Sequence, residues 1–291
     1  MIVVKIYEGL GNQIFQYAFA KSLQLKTGQR VILDYTNQFD NLARKNRTKR
    51  KFLLNQFQTS LPLCSKSELV TWNFLKQENS VDAARYQLAR YRIGKKKYYA
   101  ESIDDVTNYK EELQYLRGEW YIKGWFQNEK YFSDIREILL EEFSLKNELN
   151  ISSFLNEVLV NNNTVAVHFR RGDYKNGHFL SLNYYKKSVE YIEQKVVNPI
   201  YLVFSDDIKW VKEHLKIEGR VIFLNEEGQY CDFEELVLMS KCKHCIIANS
   251  TFSWWGAWLN RNENKIVVAP KPEAWFTNQK NILLPDWKTI R

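Results

Sequence analysis

The chain has 291 residues, 45% of them hydrophobic and 15% aromatic, and its 42 Lys and Arg outnumber 34 Asp and Glu to give a formal net charge of +8. That length serves one large or two moderate domains, and the apolar content excludes disorder over most of it. The charge favours an anionic partner (nucleic acid, anionic lipid or a phosphorylated metabolite) without choosing among them.

No apolar run approaches the length that spans a bilayer, and residues 1–7 meet Glu8 and Gly9 too soon for a secretory signal. A cytoplasmic protein is expected, soluble or peripheral at the inner face of the membrane. Cys64 and Cys231 stand alone, while Cys242 and Cys245 form a C-x-x-C without a second Cys or His pair at ligand spacing. Ordinary thiols of a reducing compartment fit this better than zinc.

In chain order, residues 2–7 read as a strand, Glu8-Gly9-Leu10-Gly11-Asn12 as a turn, and Gln13 to Thr27 as a helix with Ile14, Tyr17, Ala18 and Leu25 inward. Val31 to Tyr35 is a second strand, so the chain opens as a Rossmann-like half. Two basic stretches follow, Arg44 to Lys51 and the aromatic-rich Arg85 to Tyr99. Each is read either as a solvated loop or as a contact with anionic head groups or an anionic acceptor. Glu119 to Trp125 returns to strand pattern, and Ser133 to Phe143 and Ser152 to Val160 to helix.

From Thr164 onward strands and helices alternate: strands at 164–169, 200–204, 221–223, 245–248 and a last one at 266–268 stopped by Pro270, with helices at 182–196, 207–215, 232–241 and 251–260. This alternation predicts a second parallel sheet. The halves are expected at 1–155 and 156–291, joined near residues 145–163.

Ligands of open parallel sheets bind outside the carboxyl ends of the strands, and three such ends in the second half are polar. The first is His168-Phe169-Arg170-Arg171-Gly172-Asp173-Tyr174. Strand alternation puts His168 and Arg170 on one face, toward a ligand, and leaves Arg171 to brace the loop; Gly172 allows a sharp turn. An Arg fork matches phosphate oxygens, although a His–Arg–Asp network could equally pin a loop. The second end is Ser205-Asp206-Asp207, carboxylates for a ribose or guanine, or simply a helix cap. The third is Asn249-Ser250-Thr251-Phe252-Ser253, whose free N–H groups at a helix start suit a phosphate, with capping again the plainer alternative. Together they describe a pocket for a nucleoside diphosphate. The turn Gly9 to Asn12 lacks the full dinucleotide spacing and is placed toward a ligand from the other half.

With these residues in hand, the chain resembles the bacterial α-1,2-fucosyltransferases of glycosyltransferase family 11. The matching segments are Gly9 to Ala18, His168 to Tyr174, Phe204 to Asp207 and Asn249 to Leu259, in the family's order; residues 37–120 carry no matching motif. The resemblance implies a GT-B fold, two Rossmann-like halves facing each other across a cleft. It implies GDP-β-L-fucose as donor, a galactose-terminated glycan as acceptor, and an inverting, metal-independent transfer to the galactose 2-hydroxyl, with no cofactor and no nucleic acid. It further places Arg170 on the diphosphate, His168 near the nucleotide, Asp206 or Asp207 near guanine or ribose, and Ser250 and Thr251, with the N–H groups through Ser253, at the phosphates. Gly9, Leu10, Gly11 and Asn12 face the reacting sugar. For the general base Asp173 is the leading carboxylate by position, the alternatives being its pairing with Arg171 or a dissociative transition state with weak base assistance. Arg44 to Lys51 is the candidate contact with an anionic membrane.

Overall fold

Short apolar runs become parallel strands throughout the computed structural model, which describes residues 1–36, 50–65, 67–68, 72, 96–172, 179–226, 228–275 and 281–291. Asp173, residues 44–49 of the first basic run and 85–95 of the second fall outside these. The chain divides into two units, Met1–Phe143 and Ser144–Arg291. A division at 155/156 would run through the helix Ser153–Asn161, whereas this one lies before it.

In the first unit β1 (Ile2–Lys5), β2 (Val31–Asp34), β3 (Lys97–Ala100) and β4 (Trp120–Lys123) form a parallel sheet in the order β2-β1-β4-β3. Val3, Ile32, Trp72 and Tyr121 pack into one core on it. Fully burying an apolar side chain of this kind contributes about 1.5–3 kcal/mol. The buried Lys5–Asp34 ion pair (3.3 Å) crosses the carboxyl ends of β1 and β2. Burial pushes the Asp34 carboxyl up, but Lys5 and hydrogen bonds from Tyr121 and Thr36 outweigh it and hold the pKa below the usual value.

Helix α1 (Leu10–Thr27) connects β1 to β2 and ends at Gly28, whose left-handed φ of 66° closes the last turn. It starts at Leu10, not Gln13, so Leu10 to Asn12 form its first turn and Gly9 its N-cap. Ile14, Tyr17 and Ala18 are buried as expected, but Leu25 is 45% exposed, so it lies on a side of the helix turned from the core. Buried polar side chains tie the helix start to its surroundings. Gln13 donates to the carbonyls of Glu8 (2.9 Å) and Lys51 (2.7 Å) and accepts from the Leu53 N–H (3.0 Å). Strand β3 arises in the stretch read as a basic aromatic loop. Its alternating Lys and Tyr gave no apolar run, and its pairing with β4 is what makes it a strand. The helix α2 (Arg136–Glu142) closes this unit.

In the second unit α3 (Ser153–Asn161) leads into β5 (Asn163–Phe169), followed by α4 (Leu182–Glu193), β6 (Pro199–Ser205), α5 (Ile208–His214), β7 (Arg220–Phe223), α6 (Asp232–Lys241), β8 (His244–Ile246), α7 (Thr251–Trp258), β9 (Val267–Pro270) and β10 (Lys288–Ile290). All pair in parallel, in the order β10-β9-β8-β5-β6-β7. The last strand is therefore β10, not the run at 266–268, and Pro270, expected to stop β9, is its final residue. Pro lacks only the donor, and its carbonyl still accepts from Trp275 Nε1 at 3.4 Å, while the Lys271 N–H donates to the Ile290 carbonyl at 3.2 Å. From β5 the sheet grows one way through β6 and β7 and the other way through β8, β9 and β10, so β5 and β8 flank the switch point where open sheets hold ligands.

Candidate functional site

The carboxyl end of β5 is built by alternation. Val165, Val167 and Phe169 join the core that includes Tyr184 and Tyr185 of α4, and the Phe169 ring stacks on Tyr185 at 3.7 Å. His168 faces the other way, its ring 5.5 Å from that of Phe252 at the start of α7. It is 4% exposed, and its Nδ1 has no hydrogen-bond partner among the described residues. Burial first, and then the neighbouring Arg170 cation, push its pKa down to about 3. His168 is thus a neutral imidazole, one nitrogen donating and one accepting, set on the core side of a cation.

Arg170 and Arg171 divide the labour. The Arg170 guanidinium pairs with Asp206 at 2.9 Å. Arg171 lies over the Trp210 indole, 3.3 Å from its centroid, and 4.7 Å from that of Phe179, with its Nε 3.7 Å from Asp207. Such a stacked guanidinium braces structure, as the alternation of β5 suggested. Asp206 also accepts the Arg171 N–H at 2.8 Å. A Cβ on Gly172 would come within 3.0 Å of the Asp206 carboxylate, so a larger residue there would crowd the group that holds Arg170. Asp207 is the N-cap of α5, accepting from the Trp210 N–H at 3.3 Å, and Ser205 Oγ accepts the Asp207 N–H at 3.0 Å. The capping alternative therefore describes Asp207, while Asp206 holds Arg170 in position. Nearby, burial, together with Asp232 and Asp206, lifts the Glu235 carboxyl to about 7 against the Asn225 hydrogen bond.

Across the switch point, Ser250 caps α7 by accepting the Phe252 N–H at 3.3 Å. Ser253 Oγ donates to the Ala248 and Ser250 carbonyls, and Asn249 Nδ2 donates to the Ala274 carbonyl at 2.7 Å. These three are buried, and Thr251 and Phe252 are half-buried. The first-turn N–H groups have no acceptors inside the helix, and the helix dipole adds positive charge there. Gly256 fits α7 against Met239 of α6, which a Cβ would meet at 3.0 Å. The second unit thus brings together a neutral His, a guanidinium and a helix start at one strand crossing, an arrangement that suits a diphosphate.

In the first unit the turn before α1 has its own polar network. Glu8 adopts a left-handed φ of 67° and Phe126 one of 52°. Glu8 Oε2 accepts from Asn12 Nδ2 (2.6 Å) and Trp125 Nε1 (3.0 Å), and Asn12 Oδ1 accepts from Gln127 Nε2 (2.8 Å). Glu101, buried, accepts the Trp125 and Phe126 N–H groups at 2.6 and 3.0 Å. Burial pushes its carboxyl up to about 7 against these bonds. Glu8, Trp125, Gln127 and Glu101 were not singled out from the sequence: they share no motif, and the one signal available, a charged residue before a G-x-G-N turn, is weak. Gly9 lies beside Arg50, the described end of the basic run, at 3.8 Å from a built Cβ.

Among the described residues no group of His, Cys, Asp and Glu could hold a metal ion, and no helix is long and apolar enough to cross a membrane. Cys242 and Cys245 are buried and unbonded as disulfides, and burial pushes the Cys245 thiol up to about 12.

Comparison with known proteins adds three findings. The family description glycosyl transferase family 11 matches residues 1–291. The O-antigen biosynthesis glycosyltransferase WbnK of Escherichia coli is 33% identical, over 96% of this chain and 97% of its own, and an alpha-1,2-colitosyltransferase of the same organism is 32% identical, over 96% and 94%. Among solved structures, fucosyltransferase NodZ from Bradyrhizobium superposes with a TM-score of 0.53 at 13% identity, over 88% of this chain and 91% of its own. Another NodZ structure, an alpha-1,6-fucosyltransferase soaked with GDP-fucose, gives 0.53 at 14%, over 89% and 91%. At such identity the likeness is one of fold, and it agrees with the two parallel-sheet halves of a GT-B glycosyltransferase.

Proposed function

The chain belongs to glycosyltransferase family 11, and from that premise we propose that it is a galactoside α-1,2-fucosyltransferase, transferring L-fucose from GDP-β-L-fucose to the 2-hydroxyl of a terminal galactose. The second unit takes the donor and the first the acceptor. The observation that carries this reading is the meeting of His168, Arg170 and the start of α7 at the β5–β8 switch point. Breaking the sugar–phosphate bond leaves positive charge on the anomeric carbon and negative charge on departing GDP. Arg170, aligned by Asp206, and the first-turn N–H groups of α7 meet that negative charge with donors already in place, which is why the transfer is read as metal-independent. His168 adds a neutral donor without competing for the cationic position. Thr251 and Ser253 offer N–H groups to the phosphates, and the reaction inverts because the acceptor attacks opposite the leaving GDP. Asp173, outside the described residues, is retained as the base.

The similarity to the O-antigen biosynthesis glycosyltransferase WbnK supports a cytoplasmic enzyme of cell-surface polysaccharide assembly acting on a glycan precursor. Arg44 to Lys51 is proposed as its contact with the anionic membrane surface. Incubation with GDP-fucose and a panel of Galβ-terminated oligosaccharides, with product linkage assigned by NMR, tests the reading: an α-1,2-linked product is expected, and another linkage or none on any galactoside overturns it. The similarity to an alpha-1,2-colitosyltransferase supports a second reading, the same linkage made with colitose, and a screen of donor sugars against one acceptor separates the two.

A further inference from the structure

We propose that Glu8 is a positioning residue that holds Asn12 and Trp125 as a receptor for the hydroxyl groups of a neutral saccharide, an inference that rests on the transferase reading for naming that saccharide as the galactoside acceptor. The hydrogen bonds define the orientation of every group in the network. An ionised carboxylate only accepts, so Asn12 must turn its Nδ2 toward Glu8. Its Oδ1 then meets Gln127 Nε2, and Gln127 Oε1 is left on the far side. Gln127 is 5% exposed, and this oxygen has no partner among the described residues, which is an unusual state for a buried acceptor.

The network also retains capacity at its open side. Glu8, Asn12 and Trp125 are each half-buried. Asn12 keeps one N–H and one lone pair, and Glu8 Oε1 makes no bond among the described residues. Beside them stands the Trp125 indole, with the Tyr7 ring edge-on at 5.6 Å. A carboxylate oxygen and an amide flanked by an aromatic wall match the hydroxyls and C–H face of a sugar. The Glu8 carboxylate gives a phosphate no donor, in contrast to the guanidinium at the strand end of the second unit.

Backbone strain sets this network apart from ordinary packing. A charged, non-glycine residue at φ 67° costs folding stability, and its carboxylate reaches Asn12 and Trp125 from that conformation. Glu8→Gly removes the strain and the carboxylate together. The acceptor KM is expected to rise about tenfold or more, the scale of a lost charge-assisted hydrogen bond, with kcat at saturating acceptor and affinity for GDP within about twofold. Tm holds or rises, because glycine adopts this conformation freely. Glu8→Gln, which can still accept from Asn12 and Trp125, restores most of the acceptor affinity. A merely structural Glu8 gives the opposite, a lower Tm and an unchanged KM, and that result overturns the proposal. NMR titration of the intact chain with a Galβ-terminated disaccharide, without donor, reads the site independently of turnover. Binding by the wild type that Glu8→Gly abolishes supports the site even if fucose transfer is not the reaction. Equal binding by both, or binding by neither together with an unchanged KM, overturns it.

Discussion

The carboxyl end of β5 and the turn before α1 occupy corresponding places in their units, after the first strand of a parallel sheet, yet they are built from opposite materials. The first sets a guanidinium beside a buried neutral imidazole and a helix start; the second surrounds a carboxylate with amide and indole donors. One arrangement suits a diphosphate and the other offers hydroxyl partners. The proposed division of donor and acceptor between the two units rests on that difference in chemistry.

The comparison is broken most directly at Arg170. Arg170→Ala is expected to lower turnover a hundredfold or more, about 3 kcal/mol of transition-state stabilisation, with circular dichroism unchanged and GDP affinity reduced. Near-normal rates would remove Arg170 from the site. Next in size is the pH dependence of stability, where the regions have opposite slopes. Burial, and then the Arg170 cation, push the His168 pKa down to about 3 from the 6.5 of a free imidazole, so the folded state binds fewer protons and loses stability as pH falls through that window. Glu101 titrates at about 7 against 4.5, so the folded state binds more protons and loses stability as pH rises from 4.5 to 7. Glu101→Gln should therefore stabilise the chain above that window by on the order of 2 kcal/mol, with little gain below it; urea unfolding at both ends reads the difference. His168→Gln should flatten the acid limb and leave the other unchanged.

Gly172→Ala is a smaller test of how Arg170 is aimed. Its Cβ would crowd the Asp206 carboxylate, with a cost of about 1 kcal/mol that should appear in donor KM more than in acceptor KM. Equal changes in both constants would show that Asp206 does not serve the donor specifically. Smallest is Ser250→Ala, which removes the cap of α7 at about 1 kcal/mol of stability. A thermal melt should show it in full, with transfer falling only modestly, because the N–H groups themselves remain.

Much of the second unit could be read from its residues. Strands β5, β6, β8 and β9 are buried on both faces, so they appear as uninterrupted apolar runs bounded by polar strand ends. The first unit was harder. Lys97, Tyr98, Tyr99 and Ala100 contain no apolar run, and in the second unit β10 is hidden likewise, being three residues long; both are strands because a neighbour's edge is available, which is a tertiary fact.

The sequence by itself determined the two parallel sheets, the helix starts at Leu182, Asp232 and Thr251, and the family, because period, capping residues and contiguous motifs are local properties of the chain. Only the tertiary structure decided that Asp206 serves Arg170, that a side chain at Gly172 would crowd that carboxylate, and that Glu8, Asn12, Trp125 and Gln127 form one network. Those pairings join residues separated by up to 117 positions, and folding alone brings such groups within hydrogen-bond reach.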